Sequence, residues 1–584
     1  MESEEDNFED LFGEDPTVTK DPVAIPTPPP SRGASQVPLK KTGSWPLQRN
    51  GKISIQIDDT GEVELPDGVA GKPRHPILDL LEGAEKRWND MVRRQSRTLP
   101  DAVKEYQKRY GRLPPKGFDK WFEFAKRHNV VLIDEFDQID HDIAPYLALK
   151  PRTMQQRIGK LETHKDSFHL IFKDGNLTYT HTPTRDMTRI TDIVGLVEDF
   201  AEVLPDMEVH ASLHDTGSHV LREDYRKEAT RKADERGYLS KENVTFFENK
   251  KTNPRKRVTK ACLDDAPAVL QENGVLPQTT RGKSMELIQD HGRTMNFCHN
   301  PEILASHGAF IWDLARDSFL EPFFVGCKLA QGPEILMPAL SGFSDSKSEA
   351  LPAWSTRKAK AFWRGSTTGN HFTIKDWKRS HRIALHFLAN TQEGQEAVLL
   401  EDAKKGLVSK SISRKELNER YIDIGLVGKP IQCEKKDGTC EEMTEKIDFK
   451  PRAAPNLGSQ YKYAVDVDGN GWSQRYRRLL TSGSVILKAT IFPEWNADWL
   501  VPWYHYVPIQ MDYSDLYNTM TFFAGSPDGS SPGHDKLAEK ISQNSVRFVK
   551  ENWRWEDMQA YMFRLLLEYA RLAADDRDAM TYKP

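Results

Sequence analysis

Cysteine is scarce: Cys262, Cys298, Cys327, Cys433 and Cys440 are the five in 584 residues. None form a CxxC pair, so the sequence offers neither a thiolate zinc site nor a dense disulfide scaffold. Cys433 and Cys440 flank the polar loop EKKDGT; they close as a disulfide in an oxidising compartment or remain two free loop thiols. An apolar run of the roughly 18 residues needed to span a membrane is missing. Large charge excess is missing too. The formal net charge is −5, which argues against a nucleic-acid binder driven by bulk charge. There is no short-period repeat, so a solenoid is excluded. The start, MESEEDNFEDLFGED, lacks the basic and apolar regions of a secretory signal. As written, the chain is expected to be soluble.

What is present is ample material for a core. The apolar fraction is 38% and the charged fraction 29%, and the length exceeds what one core usually supports. Two domains plus tails are expected. Residues 1–74 are acidic and then Pro-rich, and read as a disordered tail. Helical spacing begins at His75 with Ile77, Leu81, Ala84, Trp88 and Met91. A second helix carries Ala102, Val103, Tyr106 and Tyr110 and must stop at Pro114-Pro115. SFHLIFKDGNLTYT reads as a hairpin turning at Asp174-Gly175. A helix with Ile190, Val194, Val197 and Ala201 precedes a strand at Met207–Leu213. Residues 222–260, including NPRKRVTK, read as a solvated insertion, because acidic residues are interleaved almost throughout, with a nuclear-localisation or nucleic-acid patch as the alternative. The second half then alternates strand and helix: AKAFWRG, a helix with Trp377, Ile383 and Phe387, KYAVDVDG, the helix WSQRYRRLL, SVILKATIF and HYVPIQM. Two helices close the chain. This is the grammar of an α/β fold.

Ligands of open α/β sheets sit beyond the carboxyl ends of strands. Three turns qualify. The first follows Trp363: Arg364, Gly365, Ser366 and the residues to Gly369 offer backbone amides, hydroxyls and a cation to phosphate. A basic helix with Lys375, Lys378, Arg379 and Arg382 comes next. The second follows Val467 and leads into a helix whose N-terminus, near Ser473 and Arg475, suits an anion. The third follows Leu213, where Asp215 stands as a candidate general base, with an Asx-turn or helix cap as the alternative. Asp466-Val467-Asp468-Gly469-Asn470-Gly471 imitates a calcium loop, but the twelfth position is Arg477 instead of Glu. Asp466-x-Asp468 also imitates the metal-binding pair of GT-A enzymes.

Read together, these stretches resemble the family 90 glycosyltransferases, which include fungal capsule-associated proteins and Rumi-type protein O-glucosyltransferases. YGRLPPKGF (Tyr110–Phe118), Trp121 and IDEFDQI are similar to the fungal branch. LPDMEVHASLHD (Leu204–Asp215) resembles the family stretch that ends in the catalytic base, although Asp215-Thr216-Gly217 stands where members commonly have Asp-Tyr-Pro. WRGSTTG (Trp363–Gly369) resembles the motif that contacts the nucleotide diphosphate. KYAVDVDGNGWSQR (Lys462–Arg475) resembles the second donor motif, whose contacts fall on Asn470, Gly471, Trp472, Ser473, Gln474 and Arg475.

The resemblance implies a GT-B-like α/β fold: two Rossmann-like domains facing across a cleft. The expected division is 75–355 for a helical and α/β acceptor-side domain. Residues 356–584 would form the nucleotide-sugar domain, its last helix returning to the first. Implied too are an inverting transfer from UDP-glucose or UDP-xylose to a glycan or protein hydroxyl, no metal, no cofactor, and a place in the secretory pathway. Arg364, Ser366 and Arg475 would hold the diphosphate, with Arg382 beside them; GT-B analogy adds Glu494 for the ribose. A catalytically silent sugar- or nucleotide-binding relative and a phosphate-binding hydrolase are the alternatives.

Overall fold

The computed structural model describes residues 45–584 apart from 59, 66–71, 185–186, 218, 249–257, 277–283, 312–318, 341–342, 344–350 and 455–456. The acidic start of the expected tail and most of NPRKRVTK lie outside the described residues.

Local chemistry sets the helix ends. His75 caps helix Pro76–Arg93, its ring nitrogen accepting from Ile77 N at 3.2 Å. Helix Leu99–Tyr110 ends at Gly111, whose φ of 66° is the left-handed cap that glycine supplies without strain. The hairpin forms as its turn demands: Ser167–Lys173 pairs antiparallel with Asn176–His181, and both Asp174 and Gly175 take positive φ.

Among the described residues there are two five-stranded sheets. The first runs Asn176–His181, Ser167–Lys173, Met207–Ser212, Phe324–Val325, Ile335–Leu336. Its first two pairings are antiparallel and its last two parallel. It is therefore a mixed sheet, where a Rossmann-like domain would be parallel throughout. The hairpin accounts for the first antiparallel pairing, because a two-residue turn can join only antiparallel neighbours.

The second sheet is parallel throughout. Its order is Ile422–Leu426, Lys358–Gly365, Tyr461–Val467, Val485–Ala489, Val507–Pro508. In chain order this is second, first, third, fourth, fifth. The direction of winding thus reverses between Lys358–Gly365 and Tyr461–Val467. Chains leaving those two strands part to opposite faces, which opens a crevice at their carboxyl ends.

The hydrophobic cores do not follow the expected division of the chain. Within the expected tail, the described residues 45–58 belong to the structure: Lys52–Gln56 pairs antiparallel with Ser284–Ile288, and Ile53 and Ile55 are buried in the same core as Trp363 and Val465. The period-two alternation of KISIQ carries this strand, although the segment around it is polar. Phe297, Ile303 and the Cys262–Cys298 disulfide also lie in that second core. In the other direction, the last helix, Trp555–Ala573, packs with helices Phe118–Arg127, Asp137–Leu147 and Thr188–Val197 of the first core. Trp121 Nε1 donates to Ala560 O at 2.9 Å, and Tyr106 OH to Glu568 Oε1 at 2.9 Å. The charged stretch after 222 is not merely solvated. Its helices Glu223–Asp234 and Lys241–Glu248 bury Tyr225 and Glu248, and Arg157 holds the Glu248 carboxylate through two bonds of 2.9 Å.

Candidate active site

Two arginines meet in the crevice of the second sheet. Arg382, from helix His381–Asn390, donates through Nε to Asp468 O at 2.7 Å. Its Nη1 reaches Ser366 O at 3.1 Å and Thr368 Oγ1 at 2.6 Å, so one side chain ties the two turns together. Arg475 donates to Arg364 O at 3.2 Å and Val467 O at 3.1 Å. Each guanidinium carbon lies 5.8 Å from the ring of buried Trp363. The close partners of both cations are neutral oxygens; the nearest carboxylate oxygen to Arg475 is Asp466 Oδ1 at 3.8 Å. Burial lowers the pKa of both arginines, that of Arg382 to about 9, with the charge of Arg475 adding to the effect. Two neighbouring like charges, Arg382 buried and Arg475 a quarter exposed, whose hydrogen bonds all go to neutral oxygens are an environment that an anion relieves.

The glycine turn is braced from two sides. Gly369 N donates to Asn470 Oδ1 at 3.1 Å and to Gln432 Oε1 at 3.2 Å. Thr367 Oγ1 both donates to Ile431 O and accepts from Ile431 N, each at 2.9 Å. The Cys433–Cys440 disulfide closes that bracing loop. Gly365 and Ser366 lie half-buried at the crevice. Arg364 does not supply its charge there: its guanidinium is paired with Asp423, at 2.5 Å to Oδ1 and 2.7 Å to the carbonyl, on the neighbouring strand.

The second turn departs from the expected helix. WSQRYRRLL is helical only over Tyr476–Leu480, with Arg475 at the N-cap position. Ser473 is buried and donates to Asp466 Oδ1, and Gln474 is exposed. The turn's anion-binding capacity therefore rests on Arg475 and not on a helix N-terminus. The hydroxyl of Ser473 is held inward because Asp466, fully buried, needs donors; Lys488 Nζ supplies another at 3.2 Å. Asp468 accepts from Ile491 N at 2.9 Å and lies 3.3 Å from His307 Nε2. Burial raises its pKa. Glu494 is buried as well, with Lys488 Nζ at 3.4 Å. Burial lifts its pKa to about 7 against the pull of Lys488. Asp466, Asp468, Glu494 and Lys488 thus form a buried network beneath the turn.

The first sheet delivers the carboxylate. Asp215 follows strand Met207–Ser212 and projects to the turn of the second sheet: Asn470 Nδ2 donates to its Oδ2 at 3.4 Å. Arg189 Nη2 donates to Oδ1 at 3.0 Å. The Asp215 carbonyl accepts from the thiol of Cys327, which is free and buried, at 3.1 Å. Gly471 makes this approach possible, since a Cβ there would collide with the Asp215 carbonyl and come 3.0 Å from Cys327 Sγ. Trp472 N donates to the same sulfur at 3.3 Å. A hydrogen-bonded path therefore runs from Gly369 N through Asn470 to Asp215, and the two sides touch at this point.

Asp215, Asn470, Gly471, Trp472, Ser366, Arg382 and Arg475 converge, whereas Arg364, Ser473 and Glu494 are committed to internal partners. Sequence reasoning missed Arg189 and Gln432, which stand outside the quoted motifs. Arg189 did carry a signal, a cation in the first turn of a helix, where the macrodipole disfavours it.

Residues 331–578 match glycosyl transferase family 90; this segment includes both basic turns and excludes Asp215. Protein O-glucosyltransferase 2 of Danio rerio is 31% identical over 114 residues, 19% of this chain and 21% of that protein. The O-glucosyltransferase rumi homolog of Aedes aegypti is 26% identical over 224 residues, 38% of this chain and 43% of that protein. Protein O-glucosyltransferase 1 of Homo sapiens is 26% identical over 115 residues, 19% of this chain and 27% of that protein. The chain spans between about a fifth and less than half of the length of these relatives. Over residues 331–578 the chain is thus similar to glycosyl transferase family 90.

Proposed function

We propose that this protein is an inverting, metal-independent glycosyltransferase that moves glucose or xylose from a UDP-sugar to a hydroxyl of a glycan or protein acceptor, on a GT-B-like pair of α/β lobes. The observation that carries the reading is the meeting of Asp215 with Asn470, at the mouth of a crevice that also holds the Arg382–Arg475 pair. A carboxylate on one side and paired cations on the other are what a displacement at a sugar phosphate needs. The acceptor hydroxyl loses its proton to Asp215 as its oxygen attacks the anomeric carbon. The bond to the diphosphate breaks, and its electron pair leaves on the phosphate oxygen. Arg475 and Arg382 stabilise that charge. Attack opposite the leaving group inverts the anomeric centre.

The protein O-glucosyltransferases among the relatives favour glucose and a protein acceptor. Asp466 and Asp468 are assigned a structural role, because Ser473, Lys488, His307 and Ile491 already engage them. The two disulfides support an oxidising compartment such as the secretory pathway; among the described residues no helix is long and apolar enough to cross a membrane. The test is UDP release from UDP-glucose and from UDP-xylose, with and without a folded or peptide acceptor. Consumption of neither sugar nucleotide by wild type, or undiminished transfer by Asp215→Asn, would sink the reading.

A further inference from the structure

Arg189 is the one cation that touches Asp215 in the contacts described above, and its place in the fold has no structural economy. It is the second residue of helix Thr188–Val197, whose first turn holds no acidic residue. A cation there opposes the helix dipole. Residues that break a local rule tend to be retained for a reason outside the local structure. The contacts supply the reason. Besides the 3.0 Å bond to Asp215 Oδ1, Arg189 Nη1 donates to Leu213 O at 2.5 Å and to His214 O at 2.7 Å. One planar group thus grips the carboxylate and the backbone immediately before it. The guanidinium carbon also lies 5.5 Å from the ring of Trp472, which belongs to the turn of the second sheet.

The remaining restraint on the Asp215 carboxylate is weaker. Asn470 reaches the other oxygen at 3.4 Å, and the Asp215 side chain is 40% exposed. An exposed carboxylate with one long hydrogen bond would sample several rotamers. Arg189 removes that freedom through a fixed fork of donors. It lines a crevice with Asp192, Ser212, His214, Leu340 and Trp472. Its described contact with the second turn is the ring of Trp472, and none of its described bonds goes to residues 364–369 or to Arg475.

We infer that Arg189 is a positioning residue for transfer: it holds Asp215 on the acceptor side of the crevice and takes no part in holding the nucleotide. The inference rests on the proposed role of Asp215 as base. It separates two quantities that a merely structural residue would change together, namely turnover and nucleotide affinity.

The experiment compares Arg189→Ala and Arg189→Lys with wild type, using Asp215→Asn and Arg475→Ala as references. Turnover is read as UDP released from UDP-glucose or UDP-xylose, whichever wild type consumes, and affinity by calorimetric titration with UDP. Misplacing a reacting group costs about 10- to 100-fold in rate, and that loss of kcat is expected for Arg189→Ala. Its UDP affinity should stay within about threefold of wild type, less than 1 kcal/mol. Arg189→Lys, or millimolar guanidinium added to Arg189→Ala, should restore part of the rate. Unchanged kcat overturns the inference. So does a loss shared equally by turnover and UDP affinity, or one that neither lysine nor guanidinium repairs. Should Arg189→Ala fail to fold, Arg189→Met beside Arg189→Lys makes the same comparison. If Asp215→Asn keeps its turnover, the underlying assignment of the base fails; if Asp215→Asn is inactive while Arg189→Ala is unimpaired, only the role of Arg189 fails.

Discussion

Arg475→Ala is the sharpest test of the anion site. Its guanidinium is held by two carbonyls, Arg364 O and Val467 O, at the carboxyl ends of adjacent parallel strands. It is a quarter exposed at the side chain, so a ligand can reach it. The loss of a charge-assisted hydrogen bond to phosphate costs about 1.5–3 kcal/mol, which is about one to two decades in UDP affinity. Arg382 moderates the effect. Its guanidinium, bonded to the Asp468 and Ser366 carbonyls, remains at the site as a cation when Arg475 is gone. The lower half of that range is therefore expected for the single variant, and the double variant Arg382→Ala/Arg475→Ala should lose more than the sum of the singles. The assay is calorimetric titration with UDP, beside a urea unfolding curve. The unfolding curve is needed because the two lost carbonyl bonds also brace the strand ends. UDP affinity unchanged in Arg475→Ala, with an unchanged unfolding midpoint, would refute the phosphate site.

Further outcomes follow from the same geometry. Asp215→Asn should abolish transfer and leave UDP affinity nearly intact, since Asp215 meets the acceptor and not the nucleotide; calorimetry beside the transfer assay reads both. Transfer should persist in EDTA, and loss on chelation with recovery in manganese would return Asp466 and Asp468 to a metal role. Gly471→Ala should destabilise the fold by about 1–3 kcal/mol in urea unfolding, because its Cβ would meet the Asp215 carbonyl and Cys327. Glu494 is held at about 7 against an ordinary 4.5, so the folded chain keeps a proton that the unfolded chain has lost between those values. Stability should accordingly fall as pH rises through that window, by up to about 1.4 kcal/mol per pH unit. Glu494→Gln should flatten that slope, and an identical slope in the variant would show that Glu494 does not titrate there.

The sequence by itself determined the local elements. The helical pattern from His75, the stop before Pro114-Pro115 and the Asp174-Gly175 hairpin each depend on neighbours a few residues away, so short-range patterns state them; the cap by the His75 ring and the exact end at Gly111 came from the structure. The glycine turns after Trp363 and Val467 were legible because each directly follows a strand, although the helices beyond them begin only at His381 and Tyr476. The strand Lys52–Gln56 was legible in principle from its alternation, but acidic and proline-rich surroundings masked it. What only the tertiary structure decided is which groups remain available. Arg364 and Asp423 are 59 positions apart, and their pairing takes the arginine out of the crevice. Helix formation begins four residues later than WSQRYRRLL suggests, because buried Asp466 draws the Ser473 hydroxyl inward. Asp215 and Asn470 meet across 255 positions, and Cys262 reaches Cys298 across 36. No local period encodes such meetings. They are set by how two sheets wind and by which buried charges must find partners, and those are properties of the packed chain as a whole.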